Sequence, residues 1–217
     1  MNSGKTVYKG LIYKDLFLLK EAFPIVALAV LFLLFTIIFG FSGGFLALCI
    51  MLLVFAVKVV ESTIIYDEND LWDSFVLTTA ISRKEVIRSK YLLEILFLAL
   101  AFLTAAAVFL LIVLLLPVVS GESWMFPMMI IGFGYALVYG SISIPVYLKF
   151  GVQKSRYISF ILLVLSAGVY GVTFGFGMYL EFTASVIPLL IGVIAVSLVV
   201  FCLSYQVSKR IYAKKGF

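Results

Sequence analysis

The chain has 217 residues, of which 65% are hydrophobic and only 12% are charged, and its formal net charge is +5. A soluble domain is about a quarter charged, so these charges are too few to solvate a globular surface, and most of the surface must face lipid. The basic residues sit in short segments between apolar runs. That pattern is typical of anchoring beside anionic lipid, and it argues against a nucleic-acid-binding protein.

The N-terminal segment, residues 1–21, is predicted to be an amphipathic helix that lies in the membrane interface. Its apolar residues recur at helical spacing, and its lysines fall mostly elsewhere on the helical wheel. The apolar positions are Val7, Tyr8, Leu11, Ile12, Leu16 and Leu19. The segment is too long and too charged for the start of a signal peptide, so we expect it to be retained. The alternative is that the first membrane span simply starts early.

Six apolar runs are long enough to cross a bilayer, which takes about 17–25 residues as a helix. They comprise residues 22–39, 41–60, 92–119, 125–147, 157–180 and 183–205. The predicted fold is therefore an all-α polytopic membrane protein, with a six-helix transmembrane domain over residues 22–217. No run carries a charge in its middle third, where a charge costs about 2.5–3.5 kcal/mol. Glu94, near the start of the third run, is expected to reach the interface or to pair with Lys90.

The basic residues predict the orientation of these spans. With this segmentation, the connections after the first, third and fifth runs contain no Lys or Arg. All 16 Lys and Arg fall in the N-terminal segment, the region 58–90, the loop 149–156 and the tail 209–215. The positive-inside rule places that side in the cytoplasm, so both termini are expected there.

The one large connection on that side runs from Glu61 to Tyr91. An acidic cluster lies in its first half and a basic cluster near its end: Asp67, Glu68, Asp70 and Asp73, then Arg83, Lys84, Arg88 and Lys90. Between the clusters, the spacing of Leu71, Trp72, Phe75 and Val76 predicts one apolar face of a short helix.

Ser82 and Glu85 have the spacing of a capping box, in which each side chain satisfies the other residue's backbone N–H. This predicts that a helix starts here and continues into the third span. The alternative for the whole connection is a solvated loop, which would not require aromatic residues at helical spacing.

No residue pattern predicts an active site, a metal site or a cofactor site on this chain. There is no histidine, and the two cysteines, Cys49 and Cys202, lie in apolar runs, where cysteine behaves as a small hydrophobic residue. The tripeptide Gly4-Lys5-Thr6 lacks the upstream glycine and the preceding strand of a phosphate-binding loop.

Small residues recur in the fourth and fifth runs, and Gly171 and Gly175 have the spacing that lets two helices approach closely. Aromatic residues lie beside these glycines. The predicted pathway wall or dimer face comprises Gly168, Gly171, Phe174, Gly175 and Tyr179. The alternative is that these glycines serve packing within one chain.

Three stretches of the chain resemble small bacterial ABC-2 type permeases. The first, at residues 10–20, reads GLIYKDLFLLK, and it is similar to the opening of those proteins. The others, YDENDLWD at 66–73 and ISRKEVIRSKY at 81–91, are similar to their segment between spans two and three. The length, the six predicted spans and the cytoplasmic ends agree with the family as well.

The resemblance implies a multi-pass subunit of the bacterial cell membrane. It would pair with a second permease subunit, identical or different, and bind two copies of a separate ABC ATPase. That partner would hold ATP and Mg and perform the hydrolysis. The connection 61–91 would supply the helix that couples to the ATPase, through Asp67, Glu68, Asp70, Leu71, Trp72, Asp73, Phe75, Ser82, Arg83, Lys84 and Glu85.

Within the family, the chain looks most like permeases that export amphipathic peptides, such as the phenol-soluble-modulin exporters. The short connection around Glu181 departs from the polysaccharide-exporting branch, so a glycan substrate is disfavoured. The expected function is therefore the permease subunit of an ATP-driven exporter of hydrophobic or amphipathic peptides. The alternative is a membrane immunity or assembly factor that binds its target within the bilayer without transporting it.

Overall fold

The computed structural model describes residues 10–15, 25–78, 81–115, 125–183 and 186–214. These residues are almost entirely helical. After an N-terminal helical segment at residues 10–15, the helices are α1 (Ile25–Asn69), α2 (Trp72–Leu77), α3 (Arg83–Leu115), α4 (Met125–Thr183) and α5 (Ile187–Lys214). The all-α prediction is confirmed for the described part of the chain.

Four stretches among the described residues are long and apolar enough to cross a membrane. They are Phe45–Asn69, Arg83–Leu111, Met125–Thr173 and Ile187–Lys214. Many large apolar side chains on these helices point outward, among them Leu103, Leu114, Phe160, Val172, Ile191 and Val196. Such an apolar exterior fits a hydrocarbon environment, in which helices satisfy their own backbone hydrogen bonds.

The helix α4 is two antiparallel arms, because the backbone leaves the helical region at Gly151 (φ 73°, ψ 173°). We call residues 125–150 the first arm and residues 152–183 the second arm. Contacts between the arms show that they run in opposite directions. The Tyr135 hydroxyl is 2.6 Å from that of Thr173, and the Tyr139 hydroxyl, further along the first arm, is 2.8 Å from that of Ser159, earlier in the second arm. The break lies inside the predicted connection 149–156, and it separates the predicted spans 125–147 and 157–180.

The predicted spans 22–39 and 41–60 are not confirmed as separate elements, because α1 runs unbroken through Gly40. A glycine costs a helix only about 1 kcal/mol. A turn would release several backbone groups from their hydrogen bonds, and each unsatisfied group in hydrocarbon costs several kcal/mol. The six-span count is therefore not confirmed either.

The N-terminal interfacial helix is described only over residues 10–15. There Leu11 is buried, and Ile12 packs against the main core of the protein, so an interfacial position is not confirmed. The remainder of the predicted helix lies outside the described residues.

The core is formed where α1, α3, the two arms of α4 and α5 meet. Its fully buried side chains include Val57 of α1, Leu93 and Leu98 of α3, Ile144 of the first arm and Tyr212 of α5. A second, smaller cluster joins Phe45 and Cys49 of α1 to Ala105, Met125 and Met129.

Contacts between the helices bring the basic segments to one end of the bundle. Asp67, near the end of α1, pairs with Lys90, near the start of α3. Glu68 accepts a hydrogen bond from the Val152 backbone N–H at 3.0 Å, and Arg83 reaches the last turn of α5. The described basic residues of these segments therefore lie at one end of the bundle.

Candidate coupling segment and buried polar groups

A buried ion cluster ties three segments together at this end of the bundle. The Lys90 ammonium of α3 lies 3.0 Å from an oxygen of Asp15, in the N-terminal helical segment, and 2.6 Å from an oxygen of Asp67, in α1. Lys14 pairs with the same two carboxylates. Asp15, Asp67 and Lys90 are each at most 5% exposed. We call these four residues the ion cluster.

The ion cluster was not anticipated from the sequence. From the sequence, Asp67 is expected to belong to the ATPase-coupling segment, and Asp15 has no predicted role. Only the folded arrangement shows that two acids and two bases, far apart along the chain, share one dehydrated site. Their charges balance, which is the condition for burying charge at tolerable cost.

The acidic residues of the connection differ in their exposure and in their contacts. Asp67 belongs to the ion cluster, and Glu68 holds the break in α4, since its Oε1 accepts from the Val152 N–H. The same carboxylate lies against Gly151, where a Cβ would come within 3.0 Å of it. Asp70 is exposed, whereas the side chain of Asp73 lies outside the described residues.

The short helix predicted near residues 71–76 is confirmed as α2, but its apolar residues do not share one environment. Val76 is fully buried, whereas Leu71 is 71% and Phe75 is 58% exposed. Trp72 is half-buried, and the Lys14 ammonium lies 4.4 Å from its ring centre. Leu71 precedes the helix with a left-handed backbone (φ 51°), a conformation that costs a non-glycine residue about 1–2 kcal/mol.

The capping box is confirmed. The Ser82 backbone N–H donates to Glu85 Oε2 at 2.8 Å, and the Glu85 N–H donates to the Ser82 hydroxyl oxygen at 3.3 Å. The Ser82 hydroxyl also donates to Glu85 Oε2 at 2.8 Å. This reciprocal pair sets the start of α3 at Arg83.

The two basic residues that follow the cap have different surroundings. The Arg83 guanidinium donates to the carbonyl oxygens of Ala213, at 2.8 Å, and Tyr212, at 3.4 Å. A cation at a helix C-terminus is stabilised by the helix dipole, so Arg83 joins the start of α3 to the end of α5. Lys84 is exposed.

A second buried carboxylate, Glu61, is surrounded by hydrogen-bond donors. The hydroxyls of Tyr139 and Ser159 donate to its Oε1 at 2.9 and 2.8 Å. Lys58 donates to its Oε2 at 2.6 Å, and the Tyr147 hydroxyl lies 3.4 Å from the same oxygen. Glu61 therefore connects α1 to both arms of α4, although it was predicted to open a cytoplasmic connection.

The expectation for Glu94 is wrong. Its side chain neither reaches the surface nor pairs with Lys90, because the ion cluster occupies that lysine. Glu94 is fully buried, and neither carboxylate oxygen has a hydrogen-bond partner among the described residues. It lies directly against Gly140, where any Cβ would overlap its Oε1. Glu61 and Glu94 are therefore both buried among the helices, although neither lies in the middle third of a predicted run.

Replacing Glu94 with methionine should stabilise the protein by about 1–3 kcal/mol. A buried polar group without partners costs about that much, and an unbranched apolar side chain of similar size removes the cost. The melting temperature of the purified protein in detergent measures the effect. Leu93→Met, a similar exchange at the adjacent buried site, should lower stability by less than about 1.5 kcal/mol. A lower melting temperature for Glu94→Met than for Leu93→Met would contradict the expectation.

The small-residue stripe lies on the outer surface of the second arm. A Cβ at Gly168, Gly171 or Gly175 would meet no described atom within 4 Å, so these glycines do not serve close packing in the described part of the chain. Tyr179 is exposed. The Phe174 side chain lies outside the described residues.

An apolar cavity of about 240 Å³ lies between α1 and the two arms of α4. Leu53, Gly132, Tyr135, Tyr139 and Tyr170 are among the residues that line it. Its walls are almost wholly apolar, and the hydroxyls of Tyr135, Tyr139 and Tyr170 form hydrogen bonds within the protein. In the ranges that the structure describes, no three His, Cys, Asp or Glu side chains are grouped as a metal site requires.

Comparison with known proteins identifies one family. The family model described as ABC-2 family transporter protein matches residues 10–213, nearly the whole chain. No curated protein and no solved structure matches significantly.

Proposed function

Since the chain belongs to the ABC-2 family of transporter proteins, as a multi-pass membrane permease, we propose that it exports hydrophobic or amphipathic peptides, driven by a separate ABC ATPase. In this proposal the ATPase holds ATP and Mg, and the chain itself carries no cofactor. The protein resides in the bacterial cell membrane with both termini in the cytoplasm, so that the basic end of the bundle faces the ATPase. The family match over residues 10–213 is the observation that carries the proposal.

The exposed part of the connection between α1 and α3 supports a docking role. Leu71 and Phe75 present large apolar surfaces beside the exposed Asp70, on a protein end that also carries the basic residues. Backbone outliers such as that at Leu71 cluster at functional sites. In this proposal Leu71 and Phe75 are the apolar anchors, and Asp70 and Asp73 steer the approach of the ATPase.

The other residues of the predicted coupling set transmit movement rather than touch the ATPase. Trp72 lies under Lys14, a member of the ion cluster, and Asp67 belongs to the same cluster. Glu68 holds the break in α4. Ser82 and Glu85 fix the start of α3, and Arg83 joins it to α5; Lys84 lies exposed between them. Displacement of the docked segment would therefore reach α3, α4 and α5 through these contacts.

The apolar cavity supports a peptide substrate. Its volume of about 240 Å³ and its apolar walls suit one or two apolar side chains of a peptide. The uncovered stripe at Gly168, Gly171 and Gly175 supports contact with a second permease subunit, which would place Phe174 and Tyr179 at the dimer face or along a pathway.

Replacing Phe75 with alanine should reduce co-purification of the proposed partner ABC ATPase about tenfold or more. Buried aromatic anchors at interfaces are worth about 2 kcal/mol or more. Because Phe75 is exposed within the described chain, the amount of permease in the membrane should not change. The measurement is a pull-down from detergent extracts, with the two proteins quantified on immunoblots.

Phe160→Ala is the matched control, because Phe160 is 65% exposed, close to the value for Phe75, but lies on the second arm of α4. It should leave ATPase recovery unchanged. Wild-type recovery with Phe75→Ala would remove α2 from the docking surface. Failure of the wild-type chain to recover any ABC ATPase would instead favour the immunity or assembly factor.

A further inference from the structure

A basic groove of about 960 Å³ lies between the start of α3 and the last turns of α5. Four cationic side chains line it: Arg83, Lys84, Lys209 and Arg210. No described carboxylate forms an ion pair with Lys84, Lys209 or Arg210. A cluster of unneutralised cations attracts an anion. The proposed transport function uses Arg83 as a joint between α3 and α5 but assigns no ligand to this groove.

The wall of the groove below the cations is apolar. Phe201, Cys202 and Tyr205 line it, and Lys209 extends over the Tyr205 ring, with its ammonium 5.1 Å from the ring centre. The groove therefore has a charged end and an apolar end, both on one face of α5.

The apolar end continues along the same face of α5. Ile191, Ile194, Leu198 and Cys202 follow helical spacing, and all four are exposed. They extend over about 16 Å of helix, close to half of the roughly 30 Å hydrocarbon core of a bilayer. A charged head site above an apolar stripe of that length matches a phospholipid with an extended acyl chain.

We propose that this groove binds an anionic phospholipid, with its phosphate between Lys84, Lys209 and Arg210 and an acyl chain along the stripe from Cys202 to Ile191. Arg83 closes the top of the site, since its guanidinium is held by the Ala213 carbonyl oxygen at 2.8 Å. Basic pockets between helices are suited to such headgroups. A soluble acidic protein segment would use the cations but not the stripe, which lies within a candidate membrane span.

The test compares binding of phosphatidylglycerol and phosphatidylcholine to the purified full chain in an uncharged detergent, by native mass spectrometry. Phosphatidylglycerol should bind more tightly. The triple variant Lys84→Gln, Lys209→Gln, Arg210→Gln should weaken phosphatidylglycerol binding about tenfold or more and leave phosphatidylcholine binding unchanged. Lys149→Gln, Lys154→Gln, Arg156→Gln removes the same charges elsewhere and should bind like the wild type. Equal losses in the two variants would mean nonspecific attraction and would overturn the site.

A second measurement needs no substitution in the groove. Cys202 is exposed at the groove and Cys49 is buried, so a maleimide in detergent should alkylate Cys202. Added phosphatidylglycerol should slow this reaction about tenfold, and phosphatidylcholine should not. Protection that depends on protein concentration instead of lipid would assign the groove to a second copy. Displacement of the lipid by soluble glycerol phosphate at comparable concentration would show a free-phosphate site. Either result would overturn the proposal.

Discussion

Replacing Lys90 with methionine is expected to destabilise the protein by about 3–5 kcal/mol. Lys90 is 4% exposed, and its ammonium pairs with both Asp15 and Asp67. Without it, two buried carboxylates share Lys14 alone, and a carboxylate left buried without a partner retains most of its desolvation cost. The melting temperature in detergent should fall accordingly. Lys84→Met is the matched control, because Lys84 is an exposed lysine of the same helix, and it should change stability by no more than about 0.5 kcal/mol.

A second substitution in the ion cluster tests whether the stability loss of Lys90→Met comes from unpaired charge. Adding Asp67→Leu to Lys90→Met removes one of the stranded carboxylates, so the double variant should recover part of the lost stability. Apolar replacement of a buried ion set is often neutral or stabilising. A double variant less stable than Lys90→Met would mean that Lys90 contributes through packing and not through charge.

Replacing Glu61 with leucine is expected to cost about 2–4 kcal/mol. Four donors from three helical segments converge on this carboxylate, and the Tyr139 and Ser159 hydroxyls have little access to water once it is gone. Lys58→Met should cost less, because Glu61 keeps its hydroxyl donors. The lysine side chain is also 40% exposed, so its charge is partly solvated and screened.

The test compares the stability losses of the two variants. Chemical or thermal unfolding of both variants in one detergent should rank Glu61→Leu as the more destabilised, with Glu61→Gln between it and the wild type. A larger loss for Lys58→Met would show that the Lys58 ammonium, which also donates to the Ser159 hydroxyl at 3.0 Å, contributes more than the hydroxyl donors of Glu61 to holding α1 against α4.

Local features of the fold were predictable because they depend on neighbours in sequence. The capping box at Ser82 and Glu85 satisfies backbone groups within one helical turn, so its spacing sufficed to place the start of α3. The break in α4 at Gly151 lies where charges interrupt the apolar pattern. Local spacing could not show whether the chain turns at Gly40 or continues as one helix, because a glycine tolerates both conformations.

By itself, the sequence determined the class of the protein, its apolar helices, the gathering of basic residues at one end and, through the stretches at 10–20, 66–73 and 81–91, its family. These properties follow from composition and local spacing. Only the tertiary structure decided which charged side chains are buried within the protein and which groups contact them. Lys14 and Lys90 neutralise Asp15 and Asp67, Glu61 is surrounded by hydroxyls, and Glu94 lies against Gly140. The cost of burying a charge depends on the partners that packing brings within a few ångströms, and those partners lie on other helices, far away in the sequence.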